Sequence, residues 1–237
     1  MKKLFLKNET LACILLIVLY VAVNSYCIQN FGMTDYRSAV FNTVFSALLF
    51  LLVIVLGRTS FYGFKRVNDF KKYLYFIPLV LIISVNLWNG ININNSTIEI
   101  VYYMLTMICV GFLEEIIFRG FLFKMMSKDN VKSAIIVTSF TFGIGHIVNL
   151  LNGADLIPTL IQICYAISGG YLFVIIFLKG KSLWPCIITH SAVNALSIFN
   201  IDNVLSMYIE PVFLIVVSIS YAMYLRKNIN EKESDIK

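Results

Sequence analysis

Long apolar runs with few charges constrain this chain more than any other feature of its sequence. Hydrophobic residues make up 59% of the 237 residues and charged residues only 14%. The uncharged runs recur at lengths near the roughly 20 residues that a helix needs to cross a bilayer. The sequence therefore predicts an all-α, polytopic integral membrane protein with about eight transmembrane helices, because a backbone in lipid must satisfy its own hydrogen bonds.

The predicted spans fill the chain and leave no soluble domain, so we predict a single transmembrane domain over residues 1–237. The first span follows three lysines, as a secretory signal does, but no clear small-residue cleavage site follows it. Because the later topology needs this span, we expect a retained helix. The approximate spans are Thr10–Gln29, Ser38–Gly57, Tyr73–Asn89, Ile98–Phe123, Ser133–Leu151, Leu156–Leu178, Leu183–Phe199 and Val204–Leu225.

The basic residues alternate between the loops. Of the 19 Lys and Arg, all but Arg37 and Arg119 fall in the N-terminus, the even-numbered loops and the C-terminal tail. The positive-inside rule then predicts a cell-membrane protein with both termini in the cytoplasm. The formal net charge of +6 follows from this topology, and no nucleic-acid partner is predicted. The five cysteines lie within the spans without CxxC spacing, so neither a disulfide nor a Cys-ligated metal is expected.

The fourth span contains the densest group of ionisable residues, Glu114-Glu115 followed by Arg119. On a helix, Glu115 and Arg119 are four residues apart in the favourable order for an ion pair, and Glu114 points about 100° away. One carboxylate can thus be neutralised while the other stays free for chemistry. Taken alone, the group also fits a buried packing network, or charges in the cytoplasmic headgroups.

Two more spans hold the only two histidines of the chain. His146 ends the stretch Phe142-Gly143-Ile144-Gly145-His146, in which the glycines allow another backbone to approach closely. His190 and Asn194 share one helical face of the seventh span. Each histidine alone fits an interhelical hydrogen bond, but ionisable groups in hydrocarbon are expensive unless they are paired or functional. Together these residues predict one shared site.

The depths of these residues support a shared site. At roughly 1.5 Å per residue, Glu114 lies about 10–15 Å from the cytoplasmic end of its span, His190 about 10 Å and His146 about 20 Å. The site is therefore expected in the cytoplasmic half of the membrane.

The three motifs resemble those of a known family of intramembrane proteases. This CPBP or Abi family, which includes CAAX prenyl endopeptidases and bacteriocin-processing proteins, has the signatures EExxxR, FxxxH and HxxxN. They are matched in order by Glu114–Arg119, Phe142–His146 and His190–Asn194. The resemblance covers a motif-bearing core of about residues 98–199.

The resemblance implies a role for each matched residue. Glu114 would be the base that activates water, assisted by His146, while His190 and Asn194 would bind the oxyanion. Glu115 would contribute to the catalytic set, and Arg119 and Phe142 would support it. The family is labelled metallopeptidase, and Glu114, His146 and His190 with an open position would suit a divalent metal such as catalytic Zn²⁺. The same residues also suit a metal-free glutamate-base reaction.

The sequence thus predicts an intramembrane metalloendopeptidase that hydrolyses a peptide bond in a membrane-associated peptide or protein. The alternative is a non-catalytic bacteriocin immunity or regulatory protein of the same fold. A transporter is disfavoured because the chain lacks related halves. A prenylated CAAX tail, a bacteriocin leader and a pheromone precursor stay open as substrates, and the sequence predicts no oligomeric state.

Overall fold

The computed structural model describes residues 5, 7–66 and 77–227 of the chain. Over these residues the chain forms helices and no strand. The predicted all-α class is therefore confirmed.

Eight principal helices follow one another along the described chain. They are α1 (Glu9–Phe31), α2 (Tyr36–Leu56), α3 (Ile77–Ser84), α4 (Thr97–Glu115), α5 (Val131–Gly145), α6 (Leu156–Gly180), α7 (Trp184–Leu196) and α8 (Glu210–Lys227).

Shorter segments adjoin several of these helices. Helix α4 continues without interruption through a π-helical segment, Ile116–Phe123, to Met126. Short 3₁₀ segments, Val85–Leu87 and Ser197–Phe199, extend α3 and α7. A short helix, Val148–Leu151, follows α5, and a π-helical turn, Leu205–Ile209, precedes α8.

Within the described ranges, six of these helices are long and apolar enough to cross a membrane, namely α1, α2, α4, α5, α6 and α8 with their short extensions. Many of their large apolar side chains face outward; Leu48 and Ile136, for example, are each 59% exposed. Such a surface suits lipid rather than water. The chain is a multi-pass membrane protein by the length and composition of these helices.

The third and seventh predicted spans are present as shorter helices. Helix α7 has 13 residues, which is about 20 Å of helix against a hydrocarbon core of about 30 Å. It packs between α4 and α3 inside the bundle, so it need not reach both surfaces. The first four residues of the third predicted span, 73–76, lie outside the described residues.

Local capping sets the start of the helix that carries the acidic motif. The Ser96 side chain accepts a hydrogen bond from the Glu99 backbone N–H at 3.4 Å, and the Glu99 carboxylate accepts one from the Ser96 N–H at 2.8 Å. This capping box satisfies two backbone donors of the first turn. Helix α2 begins with a comparable cap, in which Asp35 accepts from the Arg37 N–H at 2.8 Å. Hydrogen bonds from the Arg37 side chain lower the pKa of Asp35 to about 2.

The loops predicted on the cytoplasmic side meet at one end of the bundle. Glu9, at the start of α1, pairs with Lys128 after α4 and with Arg58 after α2, the latter at 3.6 Å. The Leu183 N–H donates to the Gly63 carbonyl at 2.9 Å, which joins the loop after α6 to the loop after α2.

The loops predicted on the outer side meet at the opposite end. Gln29 donates to the Asn152 side chain at 3.0 Å, across the loops after α1 and α5. The Asn92 N–H donates to the Phe199 carbonyl at 2.9 Å, across the loops after α3 and α7. The predicted alternation of the loops between two ends therefore agrees with the contacts, while the side that faces the cytoplasm stays a prediction.

Candidate active site

A cavity of about 910 Å³ lies inside the bundle. Its lining includes Glu114 of α4, His146 after α5, and His190 and Asn194 of α7. Phe142 lines it as well, so five of the predicted site residues share one cavity. Its volume lies near the upper end of the roughly 300–1,000 Å³ found for ligand sites.

Two close helix contacts bring the motif-bearing elements together. A Cβ atom on Gly111 of α4 would lie 2.7 Å from the Ser191 backbone nitrogen of α7. Gly111 thus permits the approach that places His190 beside the two glutamates. On the other side of the site, a Cβ on Gly143 of α5 would lie 2.7 Å from the Ile167 nitrogen of α6. The predicted close approach at this glycine is confirmed.

Glu114 is buried at 9% exposure and is held at both carboxylate oxygens. The Tyr20 hydroxyl of α1 donates to its Oε1 at 2.5 Å. Its Oε2 lies 3.3 Å from His190 Nε2. The carboxylate is therefore oriented by two neighbouring helices while it lines the cavity.

Glu115 points into the protein and forms the predicted ion pair. Its Oε1 accepts from Arg119 Nη1 at 3.0 Å, and both side chains are fully buried. The guanidinium lies over the Phe142 ring at 4.2 Å and near Phe173 at 5.6 Å. These ring faces attract the cation where its Nε and Nη2 atoms have no hydrogen-bond partner.

His190 lies between the two carboxylates. Its Nδ1 is 2.8 Å from Glu115 Oε1, and its Nε2 faces Glu114 at 3.3 Å. Both ring nitrogens thus face carboxylate oxygens, and each can donate to its carboxylate when it carries a proton.

Phe142 connects the second motif to the site. Its ring centroid lies 5.3 Å from that of His146 and 5.6 Å from that of His190, with nearly perpendicular planes. His146 Nδ1 lies 3.2 Å from the Phe142 carbonyl oxygen. A proton on Nδ1 satisfies this contact and leaves Nε2 as an acceptor. His146 thus joins the site through Phe142.

The comparison with protein families agrees with this arrangement. Residues 95–196 match the family described as Rce1-like, type II CAAX prenyl endopeptidases. These residues therefore form an Rce1-like core. All three motifs lie within this core, which confirms the family resemblance predicted from them. No curated protein matches the chain.

Helices α4 and α7 of the Rce1-like core contribute the predicted residues that meet most closely, Glu114, Glu115 and His190. Asn194 lies one helical turn beyond His190 and lines the same cavity. Glu114 is 12 residues from Met126 and 17 from Thr97, so the carboxylate lies nearer the end of α4 with the basic loop. The structure therefore brings Glu114, Glu115 and His190 together, with Asn194 in the wall of the same cavity.

The predicted metal ligands are less closely grouped. Across the described residues, no three His, Cys, Asp or Glu side chains lie together as a metal site. Glu114 and His190 are adjacent, and the Glu115 contact to Nδ1 resembles the carboxylate that commonly orients a metal-bound histidine. His146 is not grouped with them. As placed, the Rce1-like core does not form a three-ligand zinc site, and metal dependence stays a prediction.

Tyr20 is the site residue that the motifs did not reveal. It lies on α1, outside the matched segment, yet it makes the closest contact to Glu114. The available signal is a polar pair, Tyr20 and Asn24, four residues apart in an apolar span. Both side chains are buried, together with Cys13 and Cys27, on the inward face of α1.

Proposed function

We propose that the protein is an intramembrane endopeptidase in which Glu114 activates water to hydrolyse a peptide bond of a membrane-associated peptide or protein. The observation that carries this proposal is that the two adjacent glutamates have different surroundings. Glu115 is neutralised by Arg119 at 3.0 Å and buried completely, while Glu114 lines the cavity. One carboxylate holds the site together, and the other is available as a base.

The proposed reaction begins with water in the cavity beside Glu114. The carboxylate accepts a proton as the water oxygen bonds to the peptide carbonyl carbon, and the carbonyl π electrons move to the oxygen. His146 assists by accepting a hydrogen bond from the water through Nε2. Collapse of the tetrahedral intermediate re-forms the carbonyl and breaks the C–N bond. Glu114 then returns its proton to the leaving amine.

The developing oxyanion needs preorganised donors. Asn194 lies in the cavity wall one turn from His190, and its side-chain amide can donate, as can His190 Nε2 when it carries a proton. Donors of this kind stabilise the transition state more than the substrate because the charge appears only there. The remaining cavity wall is mostly apolar, with side chains such as Val110, Phe118 and Leu172. It suits an extended peptide segment taken from the membrane.

The decisive experiment compares membrane peptides from cells that produce the wild-type protein, no protein, or Glu114→Gln. Glu210→Gln is the matched control, because Glu210 is a buried carboxylate at 4% exposure that bonds Asn89 instead of the site. Quantitative mass spectrometry should show cleavage products that are lost without the protein and in Glu114→Gln, and kept in Glu210→Gln. If wild-type and Glu114→Gln cells contain the same peptides, the protein is not this enzyme, and the non-catalytic immunity or regulatory function takes its place.

A further inference from the structure

Tyr20 stands out among the groups around the cavity because nothing in the three motifs accounts for it. Its hydroxyl donates to Glu114 Oε1 at 2.5 Å, and its side chain is 7% exposed. A phenol placed this deep needs a hydrogen-bond partner, and the carboxylate supplies one. A hydrogen bond to a charged acceptor is stronger than one between neutral groups.

We infer that Tyr20 is a positioning residue for the base, by which α1 fixes the carboxylate of Glu114 for water activation. This inference rests on the proposed function. Tyr20 bonds the Oε1 atom, and His190 faces the Oε2 atom at 3.3 Å. Two contacts from opposite sides determine the plane of the carboxylate. Without the hydroxyl, the contact with His190 is the one that remains among the described residues, and the carboxylate rotates more freely about its last side-chain bond.

Helix α1 is loosely packed, which makes the contact between Tyr20 and Glu114 important for its position. Only 22% of the spanning part of α1 is buried, against 44% for the α4 span and 50% for α6. Helix α1 packs mainly on α2, on the π-helical segment of α4 and on the short helix Val148–Leu151. Its polar contact at the level of the site is Tyr20 with Glu114. The position of a loosely packed helix is thus coupled to the orientation of the base.

The test removes only the hydroxyl, with Tyr20→Phe. Tyr26→Phe is the matched control, because Tyr26 lies on the same helix at 53% exposure, outside the cavity lining, and also loses only a hydroxyl. The first readout is the rate at which cells form the membrane peptides that disappear in Glu114→Gln. Loss of a hydrogen bond to a charged group should slow this rate roughly 10- to 100-fold in Tyr20→Phe. Tyr26→Phe should stay within about 3-fold of wild type.

A second readout separates positioning from a structural role. A synthetic peptide that spans an identified cleavage site is given to the purified protein, and kcat and KM are measured separately. Misorientation of the base should lower kcat in Tyr20→Phe and leave KM nearly unchanged, because the missing hydroxyl bonds the base, Glu114. The thermal midpoint in detergent should change little, since phenylalanine keeps the ring. A fall in rate that follows only a fall in thermal midpoint would show a structural role and overturn the inference.

The outcomes distinguish this inference from the proposed function. If no peptide depends on Glu114, the proposed function fails and the inference fails with it. If peptides depend on Glu114 and Tyr20→Phe forms them at the wild-type rate, the protein is the proposed enzyme and Tyr20 does not position its base.

Discussion

His190 is the residue on which both glutamates depend. One of its ring nitrogens lies 2.8 Å from Glu115 and the other 3.3 Å from Glu114. His190 thus connects the buried Glu115–Arg119 ion pair to the Glu114 carboxylate in the cavity. Removal of the imidazole therefore takes away a proton site and the link between α7 and α4. We expect His190→Ala to abolish cleavage and also to lower stability.

Asn194 and His146 should differ in how much activity they support. His146→Ala removes the acceptor that assists the base, an effect usually of about 10² or more. Asn194→Ala removes one oxyanion donor while His190 remains, which costs on the order of 10²–10³ at most. We expect a larger loss of rate in His146→Ala than in Asn194→Ala, which should keep a slow but detectable rate, with both proteins at near-normal abundance. Rates of product formation, normalised to protein in the membrane, check this order. A wild-type rate in Asn194→Ala would argue against a donor role for Asn194.

Glu115 should be needed for stability as well as for activity. Its Oε1 meets Arg119 at 3.0 Å and His190 at 2.8 Å, with no exposure of Glu115 or Arg119. Replacement by a neutral amide leaves the guanidinium buried without its counter-charge, a change that typically costs about 3–5 kcal/mol. We expect Glu115→Gln to unfold at a clearly lower temperature in detergent than the wild type. Glu114→Gln and Glu210→Gln serve as comparisons and should stay close to the wild type.

Metal dependence is predicted from the ligand set of two histidines and a carboxylate, and chelation tests it. We expect purified protein treated with o-phenanthroline to lose its activity and to regain it when zinc is added back, which requires His146 to approach the Glu114–His190 pair. Metal analysis of the same samples shows how much zinc is present. Full activity in a metal-free preparation would instead support the metal-free glutamate-base reaction.

At the level of the helices, two glycines near the second motif provide a matched comparison. A Cβ on Gly143 would lie 2.7 Å from the Ile167 backbone nitrogen and 3.0 Å from the Ile163 carbonyl, so α5 and α6 would have to separate. A Cβ on Gly145 meets nothing within 4 Å. We expect Gly143→Ala to reduce cleavage at least 10-fold, because displacement of α5 moves Phe142 and His146, and Gly145→Ala to behave like wild type.

The same cleavage assay, with protein abundance measured alongside, tests this difference. A wild-type rate in Gly143→Ala would mean that α5 does not hold His146 in place. An equal loss of cleavage in Gly145→Ala and Gly143→Ala would show that the contact between α5 and α6 is not the cause. It would point instead to the change in helix propensity, which favours alanine over glycine by about 1 kcal/mol at either position.

The sequence predicted those features of the helices that depend on residues close together in the chain. The spacing of Glu115 and Arg119 predicted their ion pair, and Gly143 predicted a close helix contact. The bonds between helices were not predictable in the same way. An apolar span gives little indication of its rotation about its own axis, so the meeting of Tyr20 with Glu114 could not be read from the motifs. The π-helical segment after Glu115 also has no distinct sequence pattern.

The bounds of α7 agree with the predicted span Leu183–Phe199, because α7 and its 3₁₀ extension together run from Trp184 to Phe199. The helix is nevertheless shorter than the roughly 20 residues that cross a bilayer. Apolar composition predicts a span from one surface to the other only when a helix faces lipid over its full length. Helix α7 packs on α4 and α3, and its buried face holds Thr189, His190 and Ser191.

For the whole molecule, the orientation in the membrane is the property that the contacts do not decide. One end joins Glu9 to Lys128 and Arg58, and the opposite end joins Gln29 to Asn152. The excess of lysine and arginine at the first end predicts that it faces the cytoplasm. The orientation also determines from which side of the membrane a substrate approaches the cavity.

Single cysteines at the two ends test this orientation in intact cells. Asn94 lies in the exposed loop before α4, and Asp129 lies in the exposed loop after it without taking part in the Lys128–Glu9 pair. An impermeant thiol reagent should label Asn94→Cys above the background of the parent chain in sealed cells. Asp129→Cys should be labelled only after the cells are opened, because its loop carries three lysines that anchor it in the cytoplasm. Labelling of Asp129→Cys in sealed cells, with Asn94→Cys protected, would reverse the orientation and place both described ends of the chain outside.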